Sequence, residues 1–340
     1  MKKMLLMLGV AAAAMTSCTN DEVVEVNPAS VIKFESFVNK GTRAVENVVN
    51  TSGTEVGLQK FFVFGRHNNG SNDDFINVPV TYNGSGWGYT GGDRYWVVDT
   101  YKFGAYATKN ESDELTANSA VSFANDGTLT FTNYTVNDAN DLVAALVEKT
   151  VTAIDGNFDP VQFNFQHLLS KIQFTFVNNV ANHTMYISEV KIANYPATGT
   201  CTYSSNGAEW VLVEARQNKL LSATAEDAGI VKDGTYSDNF LVIPTAAPTN
   251  ETTTISNDYT VTFKATFKNA SGEIVSEKVY PATKLNAGVL QWKPGYVYNY
   301  TATLVLDQKK IVFGTPIVTP WDSDFNDDDD LTNDDITLQQ

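Results

Sequence analysis

The side chains that could do chemistry in this chain are few. There are three histidines, His67, His167 and His183, two cysteines, and eight aspartates between Asp322 and Asp335. Imidazole can shuttle protons near neutral pH or bind a metal. None of the three lies in an HExxH helix, a paired metal spacing or a nucleophile elbow. His67 sits in the polar run GRHNNGSNDD and His183 in Asn182-His183-Thr184, so both are expected to be solvated. His167 follows FNF and precedes LLSKIQF, and with no titratable neighbour in sequence it is expected to be buried and bonded to backbone. Gly91-Gly92 has no lysine-serine pair after it and reads as a turn, not a phosphate loop. The aspartates offer oxygens for calcium, but the run lacks the turn glycine and the twelfth-position glutamate of an EF-hand, so residues 322–340 read as a solvated acidic tail. No enzyme, cofactor or metal centre is expected.

Two residue types suggest binding or processing instead. The five tryptophans, Trp87, Trp96, Trp210, Trp292 and Trp321, could stack on sugars, although most fall in strand-like runs and are better read as core or interface anchors. Arginine occurs only at positions 43, 66, 94 and 216. Arg43 stands in the small-residue bend GTRA, where proteases find accessible backbone and a guanidinium offers a trypsin-like pocket its handle. The residues alone leave Arg43 equally a cleavage site or a solvated loop arginine.

The positioning elements begin after a targeting segment. Lys2 and Lys3, the apolar Leu5 to Met15 and the small-residue Met15-Thr16-Ser17-Cys18 give residues 1–17 the order of a signal peptide, with Cys18 as the lipid-modified first residue of a bacterial lipoprotein. Such a lipid anchors without spanning. That leaves Cys201 as the lone thiol, read as a small buried hydrophobe, so stability must come from packing. A net charge of −16 opposes nucleic acid and anionic lipid surfaces.

The rest alternates in the manner of strands: 58–65, 77–90, 95–108, 122–136, 161–166, 170–178, 185–194, 259–269 and 296–306 are rich in aromatic and β-branched residues. Asn83-Gly84 and Asp126-Gly127 are hairpin signals. One helix is expected over 137–149, where acidic caps precede Leu142, Ala145 and Leu146. The fold class is therefore all-β, of sandwich type with one short helix, divided near the Asp, Gly and Pro cluster at 155–160 into segments 44–158 and 159–321. Residues 18–43 form a leader ahead of them.

In order and spacing the chain resembles the fimbrillins of Bacteroidales, in particular their minor-fimbrillin-like branch. The resemblance rests on the lipoprotein leader, VIKFESFVNKGTRA, YWVVDTYKFGAYA, DLVAALVEKT, FNFQHLLSKIQFTF and KKIVFGTPIVTPWD. It implies two tandem transthyretin-like, Greek-key β-sandwich domains and a cell-surface fimbria anchored at first by lipid on Cys18. An Arg-specific, trypsin-like protease would cut between Arg43 and Ala44, removing the first strand, and a neighbouring subunit's C-terminal strands would fill the groove. The alternation fits: Ile32, Phe34, Ser36 and Val38 share one face of the removable strand, while Ile311 and Phe313, then Ile317, Thr319 and Trp321, line the donor. In shaft subunits the chain is expected to end soon after the tryptophan, whereas here 19 residues, Asp322 to Gln340, follow; the tail would suit an accessory, tip-proximal or anchor subunit. The alternative is a surface lipoprotein binding glycans or host ligands through Trp87 or Trp96 without polymerising.

Overall fold

The protein is described from a computed structural model, which covers residues 30–36, 48–49, 55–56, 58, 60–68, 71–108, 120–136, 141–154, 156–212, 216–222, 231, 233–244, 259–285, 292–306 and 308–321. Among these residues the secondary structure is almost all strand. The first half holds β1 (Phe34–Ser36), β2 (Val48–Val49), β3 (Glu55–Val56), β4 (Lys60–His67), β5 (Asn72–Tyr82), β6 (Trp87–Tyr89), β7 (Asp99–Thr108), β8 (Ala120–Phe123), β9 (Leu129–Thr135) and β10 (Leu142–Val151). After these come β11 (Val161–Phe163), β12 (Gln166–His167), β13 (Ser170–Asn178), β14 (His183–Pro196), β15 (Thr198–Ser204) and β16 (Gly207–Leu212). The chain finishes with β17 (Arg216–Ser222), β18 (Thr235–Val242), β19 (Thr260–Asn269), β20 (Ile274–Lys284), β21 (Tyr296–Leu304) and β22 (Ile317–Pro320).

A six-stranded sheet in the order β12-β10-β7-β4-β5-β6 is the middle layer of the first sandwich. Its central strands, β4, most of β7 and the first half of β10, are buried on both faces because both are covered there. On one face Phe61, Val63, Tyr101, Phe103, Val143 and Ala145 meet Ile32, Phe34, Phe163 and Phe165. On the other, Phe62, Phe64, Tyr106, Leu142 and Ala144 meet Phe131, Cys201 and Trp210 from the sheet β16-β15-β9-β8. At Gly104 the two layers approach closely, since a Cβ there would lie 2.7 Å from Phe123. The Asp126-Gly127 signal is the turn between β8 and β9, with Gly127 at φ 91° and Asp126 Oδ1 accepting from Thr128 N at 3.0 Å.

The expected helix is not there. Residues 137–140 lie outside the described residues, and from Leu142 the stretch is β10, hydrogen-bonded to β7 over ten residue pairs. Its alternate residues enter two different cores, and alanine is small enough for both layers to approach. A helix could bury only one stripe of the same side chains. Strand partners on either side decide against local helix preference.

The second sandwich packs β18-β13-β21-β22 against β17-β14-β19-β20. Phe174, Phe176, Ile187, Phe263, Tyr280 and Tyr300 are among its core. The chain passes between the sandwiches more than once. Strands β11 and β12, and later the hairpin β15-β16, pair with first-half strands, so residues on both sides of 155–160 build the first core.

Candidate assembly site

The segment Ser30–Ser36 lies in a slot with backbone partners on both sides. On one side β1 runs parallel to β11 in the register Phe34 to Val161, and Val161 N donates to Lys33 O at 2.8 Å. On the other, Val31 bridges Tyr95 in antiparallel sense, with Ile32 N donating to Arg94 O at 2.7 Å and Trp96 N to Ser30 O at 2.8 Å. The Tyr89 hydroxyl donates to Ile32 O at 2.9 Å. Ile32 is 0% and Phe34 3% exposed, and the Phe34 ring touches Phe75, Tyr89, Phe103 and Phe163 at centroid distances of 4.9 to 5.9 Å.

Arg94 braces this wall. Its guanidinium lies 4.6 Å from the Phe75 ring centroid and 5.4 Å from that of Tyr89, and it donates to the carbonyls of Asp74 and Gly92. Burial raises the Tyr89 phenol above its ordinary pKa, outweighing the contacts with Arg94 that lower it, so Tyr89 remains a donor. Of the other residues assigned to the removable strand, Ser36 has its backbone in β1, while Val38 lies outside the described residues, as do Cys18, Arg43 and Ala44.

The C-terminal segment fills a different core. Ile311 and Phe313 are 1% and 3% exposed, and Phe313 stands 5.3 Å from Phe174 on β13 and 6.3 Å from Phe263 on β19, closing the second sandwich across both of its sheets. Beyond Gly314, β22 adds antiparallel to β21 as the sheet's edge, with Thr319 opposite Val297 and Ile317 opposite Asn299. Ile317 is 60% exposed and Thr319 half-buried, whereas Trp321 is buried in the cluster between the sandwiches. The two segments do not meet in this chain: Ile32 and Phe34 belong to one core, Ile311 and Phe313 to another.

Two histidine expectations are corrected. His67 is not simply solvated, for its Nδ1 lies 2.6 Å from Asp74 Oδ2, Asn72 faces its Nε2 at 3.1 Å, and its ring packs 5.0 Å from Tyr101. His167 is buried as expected, but its Nδ1 contacts a carboxylate, Asp141 Oδ2, at 2.5 Å. The partner stands 26 residues upstream, and only the pairing of β10 with β12, Val143 opposite His167, brings it there. His183 takes Ala181 O as its partner at 2.8 Å. Cys201 is fully buried and its thiol is pushed up to about 12 by burial.

Trp96, Trp210, Trp292 and Trp321 are buried, and Trp87 is half-buried. Trp96 packs edge-on to Tyr101 at 4.7 Å, half-buried Trp87 lies 4.7 Å from Phe61, and Trp210 and Trp292 donate to Leu168 O and Tyr300 Oη. Among the described residues no group of three or more His, Cys, Asp or Glu is placed to hold a metal.

The family model described as fimbrillin-like matches residues 42–321. The chain belongs to the fimbrillin-like family. Fimbrillin-like proteins are structural proteins, not enzymes. Among solved structures, a fimbrial protein from Bacteroides vulgatus is similar at 16% identity, with 86% of this chain and 99% of that one covered and a TM-score of 0.60. A candidate cell adhesion protein from Bacteroides uniformis is 17% identical over 87% of this chain and 100% of its own, with a TM-score of 0.46. At 16% identity the first likeness is one of fold, and it is an all-β sandwich fold of the fimbrillin kind. No curated protein matches the chain.

Proposed function

We propose that this fimbrillin-like protein is a structural subunit of an adhesive cell-surface fimbria, exported as a lipoprotein through Cys18 and assembled by strand exchange once a protease has cut after Arg43. The carrying observation is the seating of Ile32 and Phe34: two buried side chains delivered to a core by the short segment Ser30–Ser36, of which only Phe34–Ser36 is strand β1. Their withdrawal would expose apolar surface worth about 3 to 6 kcal/mol, a large part of the roughly 5 to 15 kcal/mol that holds a domain folded. It would also strip Arg94 O, Trp96 N, Val161 N and the Tyr89 hydroxyl of their partners. Such a vacated slot is a template for another strand with two apolar side chains at i and i+2. Ile311 and Phe313 have that spacing. A proline at 316 and another at 320 would limit slippage of the incoming segment.

The deciding experiment is the amino terminus of protein recovered from the cell surface. Chains beginning at Ala44, and loss of polymer in Arg43→Ala, support the reading. A lipidated Cys18 start in every copy would overturn it in favour of an anchor or a non-polymerising lipoprotein.

A further inference from the structure

Trp321 is the one residue of the 311–321 segment that leaves the second sandwich's core for the cluster between the sandwiches. Its ring is parallel to that of His167, with 1° between planes and 4.2 Å between centroids, and Lys171 Nζ stands 4.5 Å from the same ring centroid. The imidazole is oriented by Asp141 at 2.5 Å, and Asp141 is itself largely buried at the start of β10. The backbone beneath is tied as closely: Trp321 N donates to Gly295 O at 2.9 Å, Gly295 N to Leu169 O at 2.8 Å, and Leu168 N to Leu142 O at 2.9 Å.

What surrounds this contact is weak. Strand β22 has four residues, two of them flanking or ending in proline-restricted backbone, its Ile317 is 60% exposed, and it has a neighbour on one side only. An edge strand of that length is easily frayed. The ring at its end is therefore placed to decide how firmly the segment is held.

We propose that His167, set by Asp141 and assisted by Lys171, is an aromatic receptor for the Trp321 indole that fixes the register of the C-terminal segment and retains it in its own subunit. Its bearing on assembly, as the contact that must open before the segment can be given to a neighbour, rests on the strand-exchange reading above. Asp141 and His167 are positioning residues here. Electron-rich indole favours a flat imidazole and a nearby ammonium, and an aromatic pair of this kind contributes enough beyond burial to slow opening about tenfold.

The test is hydrogen exchange on the full-length chain, read at the amides of Ile317, Thr319 and Trp321, the alternate positions that face β21, with β13 and β19 as internal references. His167→Ala is expected to accelerate exchange at those three amides about tenfold while leaving the references unchanged. His167→Phe, which keeps a stacking ring, is expected to restore most of the protection. Unchanged exchange in His167→Ala, or an increase spread equally over β13 and β19, overturns the receptor. If His167→Ala does not fold, Lys171→Met decides in its place: faster exchange confined to 317–321 supports the receptor and no change overturns it. A chain that frays as expected yet never polymerises after cleavage sinks the strand-exchange reading and leaves the receptor standing. Unchanged fraying sinks the receptor whatever the chain does in assembly.

Discussion

Phe34 touches four aromatic rings and is 3% exposed, while Val312 and Ile317 at the other end of the chain are 68% and 60% exposed. Phe34→Ala is therefore expected to lower unfolding stability by about 3 to 5 kcal/mol in urea titrations. Val312→Ala or Ile317→Ala should stay within about 0.5 kcal/mol. Cys201 gives a second test. With its thiol enclosed and its pKa raised to about 12, it should resist aromatic disulfide reagents at pH 8 and react at once in denaturant. A small hydrophobe was legible there from the sequence, as was the inward face of Ile32 and Phe34, because alternation with charged neighbours is a local signal. The partner of His167 was not legible. Asp141 reaches it only through the pairing of two strands, and nothing within a few residues of either marks that register.

Strand β10 shows what local pattern leaves undecided at the scale of an element. DLVAALVEK has the spacing of a helix stripe, and its two alanines favour one. The deciding fact is that β7 and β12 wait on either side and that a core lies on each face. A free peptide spanning 137–151 is expected to gain helix in trifluoroethanol by circular dichroism, although the protein holds the described part as strand. Ala145→Leu should destabilise the folded chain by about 1 to 3 kcal/mol through overpacking, measured by thermal or urea unfolding. Strands with clean alternation were easier: β13 occupies the expected 170–178 to the residue, and β19 starts one residue late. Hairpin β15-β16 and edge strand β20 escaped because runs such as GAEWVL and IVSEKVYPATK mix polar and apolar residues without a consistent face.

For the molecule as a whole, the first core draws Phe163, Phe165, Cys201 and Trp210 from beyond residue 158. A fragment of residues 44–158 is thus expected to remain unfolded, with poor amide dispersion by NMR. Burial also predicts an alkaline limit. Tyr298, Tyr300 and Cys201 are raised to about 12 and Tyr134 higher still, chiefly by desolvation. In the unfolded chain tyrosine loses its proton near about 10 and cysteine near about 8.5. Below about 8.5 both states hold these protons and the stability is complete. As pH climbs toward about 12 the unfolded chain alone ionises, so the urea midpoint should fall steadily through that window. The interleaving that fills the first core has a mechanical side as well. Hairpin β15-β16 follows β14 of the second sandwich directly and is laddered onto β9 of the first. Drawing the halves apart would therefore load a row of backbone bonds as well as the apolar cluster they share.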